Sequence, residues 1–571
     1  MIQTDIFPKN NYPFRLPPHL KNYQETYDNF NWQGANNEIV FFDNGKLNAA
    51  YNAVDRHLNS PRKDKIALIW QGATGNRQTF TFNQLAALSN QFAHLLKGKG
   101  VQKGDRVFIF LPRVPYLYAS FLGILKIGSI AGLLFSAFQE NALLDRLKDS
   151  GAKILITNSQ LSQRMKNIRS QLPDLKEIII IDSDNFDQEL ASQSGQLEIE
   201  KTDPSDYAFM LYTSGTTGKP KGVVHHHYAI LSEHVTAKYV LDIHEEDIYW
   251  CTADPGWVTG IAYEILGTLA LGASTLVYEG RFTPEKWYQL LQDYKVTVWY
   301  TAPTAIRMLA ASGTELVKKY DLTSLRHMAS VGEPLNPEPI KWGKKAFGLY
   351  FYDTYWQTET GGIMVANRPG LTIKPGSMGK PVPGIEAAIA DDEGNILGIK
   401  KPGNLVFKRG WESMMRKIWR RPKKYESYFK KGWYFTGDQA YKDEDGYFWF
   451  VGRADDVIKT SGERVGPFEV ESALVDHPSV IEAGVIGKPD PMRGEIIKAF
   501  VSLKKGIKPT ESLKEELSQF VKKHLAGHAY PREIEFVEKL PKTRSGKIMR
   551  RVLKARELGL DVGDTSTMEE Y

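Results

Sequence analysis

Cysteine is nearly absent: Cys251 is the only one among 571 residues. One thiol excludes an intrachain disulfide framework and any zinc site built on several cysteines, and it leads to the expectation of a reducing, cytoplasmic setting. An excess of one charge is missing as well. Lysine and arginine number 73 against 67 acidic residues, a formal net charge of +6. So small a surplus gives no general argument for a polyanionic partner, and no nucleic acid is expected, although a local anion site stays open. The opening stretch, "MIQTDIFPKNNYPFRLPPHL", lacks the apolar run of a secretory signal. Long apolar runs are confined to "LYASFLGILKIGSIAGLLFSAF" (117–138), where only Lys126 is charged. Three glycines break it and the strand-like "RVFIFLP" precedes it, so a buried helix and strand are expected there rather than a membrane span.

What is present is the material of a large globular chain. Hydrophobic residues make up 42% and aromatic ones 12%, enough for two to four domains with separate cores. From about residue 65, short apolar runs alternate with amphipathic stretches. "RVFIFLP", "AGLLF", "KILITN", "EIIIID", "VTVWYTAP" and "LRHMASVGEPL" read as strands with helical patterns between many of them, which is the pattern of parallel α/β sheets. Another strand, "YAFMLYT", runs directly into "YTSGTTGKPKG" (212–222). Strand-to-loop is where such sheets bind ligands, and small residues, hydroxyls and ammonium groups suit phosphate. The loop is no Walker A motif, because Pro220 follows Gly218 and Lys219 where a Ser or Thr would face Mg2+. By itself it fits either a nucleotide enzyme outside the P-loop class or a flexible surface turn.

Near residue 455 the texture changes to polar, glycine-containing turns and a new helical pattern, with strand candidates "EAGVIG" and "KAFVSL" beyond. Domains are therefore expected at 1–454 and 455–571. The segment "PKTRSGKIMRRVLKAR" (541–556) carries seven basic residues and no acid, which fits a solvated tail or an anion-binding element.

Six segments in order decide between these readings: "YTSGTTGKPKG", "SVGEPL", "YWQTETGG", "YFTGD", "GRADDVIKTSGERV" and "PKTRSGK". Together they resemble the adenylate-forming superfamily of acyl-CoA synthetases, adenylation domains and luciferases. "NYQETYDNFNW", "CTADPGWVTG" and "YTAPTAIRML" are similar to the acetyl-CoA synthetases in particular, so the likeness spans nearly the whole chain. The resemblance implies an α/β fold: a large N-terminal domain of several subdomains with mostly parallel sheets, and a small mobile α+β C-terminal domain. It implies acetate, ATP and CoA as substrates, Mg2+ with the nucleotide, and no membrane.

Roles follow by position. Thr213, Ser214, Gly215, Thr216, Thr217, Gly218 and Lys221 would cradle the β- and γ-phosphates. Glu359 would bind Mg2+ beside Thr358, a hard-oxygen pair suited to that ion. Gly332, Glu333 and Pro334, with Asp353, Thr354, Tyr355, Trp356 and Gln357, would surround the adenine side, where an aromatic ring offers a stacking surface. Asp438 would hold the ribose hydroxyls with help from Arg453, and Arg464 would lie near phosphate. Lys547 would be the catalytic cation, bridging two anions as charge redistributes. For the second step the small domain would turn about Asp455. Ser461 and Gly462 would then face CoA, with Thr259 and Lys522 as further contacts. Val475, His477 and Val480 would bind a second cation.

Trp356 carries the implied choice of acid. An indole fills the volume of several methylenes, so with Val258, Thr259 and Val331 it would leave room for acetate and exclude longer chains. A propionyl- or other short-chain acyl-CoA synthetase is the nearest alternative. A lysine acetyltransferase and deacetylase acting on Lys547 are implied partners, since acetylation removes the charge.

Overall fold

The computed structural model describes residues 16–213, 220–460, 463–525, 529–543, 547–563, 565 and 568, with only the backbone at 463 and 464. Two large sheets carry the N-terminal two thirds. One has seven strands, in the order Lys417–Ile418, Lys221–His226, Tyr207–Thr213, Ile130–Leu133, Arg106–Phe110, Ile154–Thr157 and Glu177–Ile180. Its last five strands pair in parallel, while the hairpin Tyr207–Thr213 and Lys221–His226 is antiparallel. Val107, Phe108, Ile109 and Phe110 are all buried, as a strand covered on both faces requires.

The other large sheet has nine strands, and six of them, from Phe351–Tyr355 through His327–Ser330, Val298–Thr301, Ile248–Cys251 and Ser274–Tyr278 to Ile66–Gln71, run parallel. Each strand expected from the apolar runs is present. A third sheet, built from Ala387–Ala390, Gly403–Lys408, Phe429–Lys430, Trp433–Lys442 and Phe448–Arg453, is antiparallel throughout. The C-terminal sheet pairs Val480–Asp490 with Gly494–Leu503 antiparallel and adds Glu533–Phe536 in parallel, with helices Pro467–Val475 and Glu511–His524 packed against one core. The α/β architecture with a small α+β C-terminal unit is thus as the sequence implied.

The long apolar run forms helix Pro115–Lys126 and then strand Ile130–Leu133. Its single charge is buried but compensated, since the Lys126 ammonium lies 2.9 Å from Asp55 and donates to Asn90 at 2.8 Å. No helix among the described residues is long and apolar enough to cross a membrane.

One element had no counterpart in the sequence pattern. Gly260–Leu266 is a π-helix, a form that appears mostly where a helix is locally widened near functional sites. It begins just after Val258 and Thr259, and only glycine fits at its start. A Cβ at Gly260 would meet the Cα of Pro255 at 2.5 Å.

Candidate active site

Three adjacent parallel strands, Val298–Thr301, His327–Ser330 and Phe351–Tyr355, end side by side, with Thr301 opposite Ser330 and Ser330 opposite Asp353. Their carboxyl ends deliver three loops to one crevice. The middle loop turns at Gly332, whose φ of +95° is left-handed and favours glycine. Glu333 is then anchored sideways: Arg307 pairs with its carboxylate at 2.8 Å and Thr304 donates to it at 2.8 Å. Pro334 follows. On the third strand the Asp353 carboxyl is buried and accepts from the Thr354 amide at 3.0 Å. Burial raises its pKa well above the carboxylate range.

Asp438 sits on strand Trp433–Lys442 directly opposite Arg453 on Phe448–Arg453. Tyr355 donates to its Oδ2 at 2.6 Å and Gln357 to the same oxygen at 2.9 Å, while Gln357 accepts from Tyr434 at 2.7 Å. The motifs "YWQTETGG" and "YFTGD" are thereby joined through one carboxylate oxygen. Burial pushes Asp438 up, and Arg453, then Tyr355, oppose that rise. Arg453 also reaches Asp455 at 3.4 Å.

Glu359 and Lys221 meet at 2.8 Å, both largely buried, and Lys221 also donates to the Tyr428 hydroxyl. Burial pushes the carboxyl up, but the ammonium outweighs it and holds Glu359 below its usual range. Thr213 faces Lys221 across the hairpin, and its buried hydroxyl has no partner among the described residues. Thr358 contributes its carbonyl, 2.8 Å from His225 Nε2, and the other ring nitrogen lies 3.0 Å from the Ser413 carbonyl. Ser214, Gly215, Thr216, Thr217, Gly218, Ser461, Gly462 and the Arg464 side chain lie outside the described residues.

The Lys547 ammonium belongs to this crevice although its chain segment is C-terminal. Its residue is exposed, and it lines a cleft with Glu333, Pro334, Arg307, Arg550 and Val475. Arg550 is paired with Glu471 at 2.7 Å, and Asn336 bridges to Ser472 at 2.7 Å, so both sides of the cleft are anchored. Desolvation by the cleft walls lowers the ammonium's pKa, Arg453 and Arg550 lower it further, and Asp438 and Glu333 act the other way.

Trp356 packs against two core clusters, one containing Val258 and the other Val331. Val258, Thr259 and Val331 are all nearly buried. Two further expected residues have partners of their own. The Lys522 ammonium lies over the Tyr530 ring at 5.1 Å. Buried His477 uses both nitrogens, with Nε2 3.1 Å from Glu516 and Nδ1 accepting from the Ser479 amide at 3.3 Å. A cation there would therefore be held by backbone carbonyls, among them those of Val475 and Val480, rather than by the imidazole. One His/Asp group among the described residues has the spacing of metal ligands: His19, Asp242 and His244. Arg326 already pairs with Asp242 at 2.7 Å, and His19 Nε2 lies 3.0 Å from the Ile243 carbonyl. The group ties the N-terminal segment to the body.

Sequence reasoning missed the supports: His225 and Ser413 beneath Thr358, Arg307 beneath Glu333, and the tyrosines around Trp356. The run "HHH" at 225–227, immediately after the glycine-rich hairpin, was the one available signal.

The comparisons with known proteins agree with this geometry. A model of the AMP-binding enzymes matches residues 54–419, and one of the AMP-binding enzyme C-terminal domain matches 469–547. An acetyl-coenzyme A synthetase of Bacillus subtilis (strain 168) is 55% identical over 97% of this chain and 98% of its own length. One from Methanothrix thermoacetophila is 42% identical over 92% of this chain and 86% of its own. Among solved structures, an acyl-CoA synthetase of Brucella canis superposes with a TM-score of 0.74 at 36% identity, covering 95% of this chain and 99% of that one. An anthranilate CoA ligase in complex with anthranoyl-AMP gives 0.83 at 33% identity, covering 90% and 98%. The chain belongs to the AMP-binding enzyme family, and within it to the acetyl-coenzyme A synthetases.

Proposed function

We propose that two half-reactions run at this crevice. In the first, an acetate oxygen attacks the α-phosphorus of ATP, and pyrophosphate leaves with the bond electrons. In the second, the CoA thiol loses its proton and attacks the acetyl carbonyl carbon, and AMP departs. The chain is an AMP-forming acetate–CoA ligase; the residue roles that follow are our reading.

The observation that carries this reading is the cleft in which Lys547 faces Glu333 and Pro334 and feels Asp438. A cation supplied from the small domain stands beside the nucleoside loops, where two anions must be brought together. Asp438, aimed by Tyr355 and Gln357, takes the ribose hydroxyls, and Arg453 stands next to it. The 213–221 hairpin loop, with Thr213 and Lys221 at its ends, holds the phosphates to be discarded. Glu359, buried and kept ionised by Lys221, fits a Mg2+ ligand, with Thr358 beside it; the ion would neutralise phosphate charge when bound. Trp356, Val258, Thr259 and Val331 close the acyl pocket.

The domains divide at 454 and 455, and Asp455 is the hinge, exposed and in contact with Arg453. Rotation there withdraws Lys547 and brings Ser461, Gly462 and Arg464 to the thiol, with Thr259 and Lys522 as CoA contacts. An exposed Lys547 is also open to a modifying acetyltransferase, whose product would lack the charge the first step needs.

The test is ATP–pyrophosphate exchange with acetate, propionate and butyrate, with and without CoA. Exchange should require acid, fall in that order, and give way to thioester when CoA is added. Exchange independent of acid overturns the reading. In Trp356→Gly the preference should move toward four- to six-carbon acids.

A further inference from the structure

Tyr300 is the penultimate residue of strand Val298–Thr301 and is fully buried. Its hydroxyl lies 3.2 Å from Trp356 Nε1 and 2.7 Å from Thr354 Oγ1, and Thr354 donates at 2.7 Å to the Ser330 carbonyl. The donor inventory fixes every direction. An indole N–H can only donate, and the single Thr354 proton is taken by Ser330. Tyr300 must therefore accept from Trp356 and donate to Thr354. The result is a one-way relay from the indole to the carbonyl immediately before Val331, that is, from one wall of the acyl pocket to the other.

Tyr263 supports the same ring from the side. It meets Trp356 edge-on at 5.0 Å and 86°, and Tyr300 at 6.1 Å and 86°. Its own hydroxyl is fixed between the Ile363 amide at 2.7 Å and Thr236 at 2.8 Å. The indole thus has one part-buried hydrogen bond and one perpendicular ring contact holding its orientation. Free of the hydrogen bond, the half-buried ring would leave its N–H without this partner and gain a reason to turn.

We infer that Tyr300 is a positioning residue that sets acyl chain length, by fixing the angle at which Trp356 caps the pocket. The inference rests on the reading of Trp356 as that cap. Discrimination against one added methylene is worth only tens- to a hundredfold in a packed pocket, so a modest turn of the cap changes it measurably.

The experiment compares Tyr300→Phe, Thr354→Val, Trp356→Gly and the Tyr300→Phe/Trp356→Gly double variant by kcat/KM for acetate and propionate. Circular dichroism checks that each is folded. Tyr300→Phe keeps the ring volume, so its propionate-to-acetate ratio should rise about fivefold or more, chiefly through KM for the acid. Thr354→Val, which breaks the relay one link further on, should move the ratio in the same direction by less, and it decides the matter if Tyr300→Phe does not fold. In the Trp356→Gly background, Tyr300→Phe should leave the ratio unchanged, because no indole remains to be held. An unchanged ratio in the relay variants, while Trp356→Gly broadens the range, overturns the role of Tyr300 alone. An equal rise in the Trp356→Gly background overturns it too, since Tyr300 would then act by general packing. If Trp356→Gly itself leaves chain length unaltered, the pocket reading falls, and this inference with it.

Discussion

Lys221 and Lys547 converge on one crevice, and they reach it in opposite ways. Lys221 begins the strand next to the edge of the seven-stranded sheet, is 14% exposed at its side chain, pairs with Glu359 and lies over the Tyr428 ring at 4.7 Å. Burial alone would lower its pKa, but Glu359 and Tyr428 override that and raise it. Lys547 comes from the C-terminal unit, and its hydrogen bonds among the described residues are those of its backbone, its amide donating to Thr543 Oγ1 at 3.1 Å and its carbonyl accepting from the Thr543 amide at 2.8 Å. No ion pair of its ammonium occurs among the described residues, and its pKa is lowered. The first lysine is a fixed, neutralised charge. The second is an unspent one carried on the C-terminal unit, which suits the bond making between two anions proposed above.

The widest test of that contrast removes the movable charge. Lys547→Ala should lower acetate-dependent ATP–pyrophosphate exchange by at least a hundredfold, since losing a preorganised transition-state contact costs about 3 kcal/mol or more. Conversion of supplied acetyl-adenylate and CoA to thioester should survive, because the lysine has left by then. Equal loss in both half-reactions would mean that Lys547 maintains the fold instead.

Removing the fixed charge should act on stability first. Lys221→Met leaves the Glu359 carboxylate buried without its cation, a change expected to cost about 2 kcal/mol or more because one partner of a buried pair is stranded. The sign with pH follows. Glu359 has a folded pKa below its unfolded one, so its contribution is present above the ordinary carboxylate range and is lost as pH falls through the folded value. In Lys221→Met the carboxyl should rise instead, and acid unfolding followed by circular dichroism should begin at higher pH. An unchanged acid midpoint would show that the pair carries no linkage.

The same two lysines mark what the sequence could and could not say. Strands and motif order were legible because burial on both faces demands apolar runs and because ligand loops follow strand ends. The length of the run at 117–138 misleads only until Lys126 is seen to have Asp55 and Asn90 as partners, and those lie 71 and 36 positions away. Roles were attached to Asp438, Glu359 and Lys547 through resemblance. Their supports were hidden, since Tyr300, Tyr263, His225 and Arg307 act through contacts of long sequence separation that no local pattern announces. The π-helix at Gly260–Leu266 was hidden for a similar reason: its apolar spacing is that of any buried helix. The ring partner of His477 was hidden too, since Glu516 lies 39 positions away.

The finest distinction between the lysines is their response to alkali. Lys547 loses its proton below the ordinary lysine range, first because the cleft desolvates it and then because Arg453 and Arg550 stand nearby, with Asp438 and Glu333 only partly offsetting them. Adenylation, which needs the ammonium, should therefore show a falling alkaline limb centred below the usual lysine value of about 10.4. Thioester formation from supplied acetyl-adenylate should lack that limb. ATP binding through Lys221 should lack it as well, for there the pKa is raised. Arg453→Gln removes the like charge that lowers it most, so the limb should move upward by a fraction of a unit, read from pyrophosphate-exchange rates across the pH range. A limb that stays in place would assign the shift to desolvation alone, and one shared by both half-reactions would erase the difference between the two lysines.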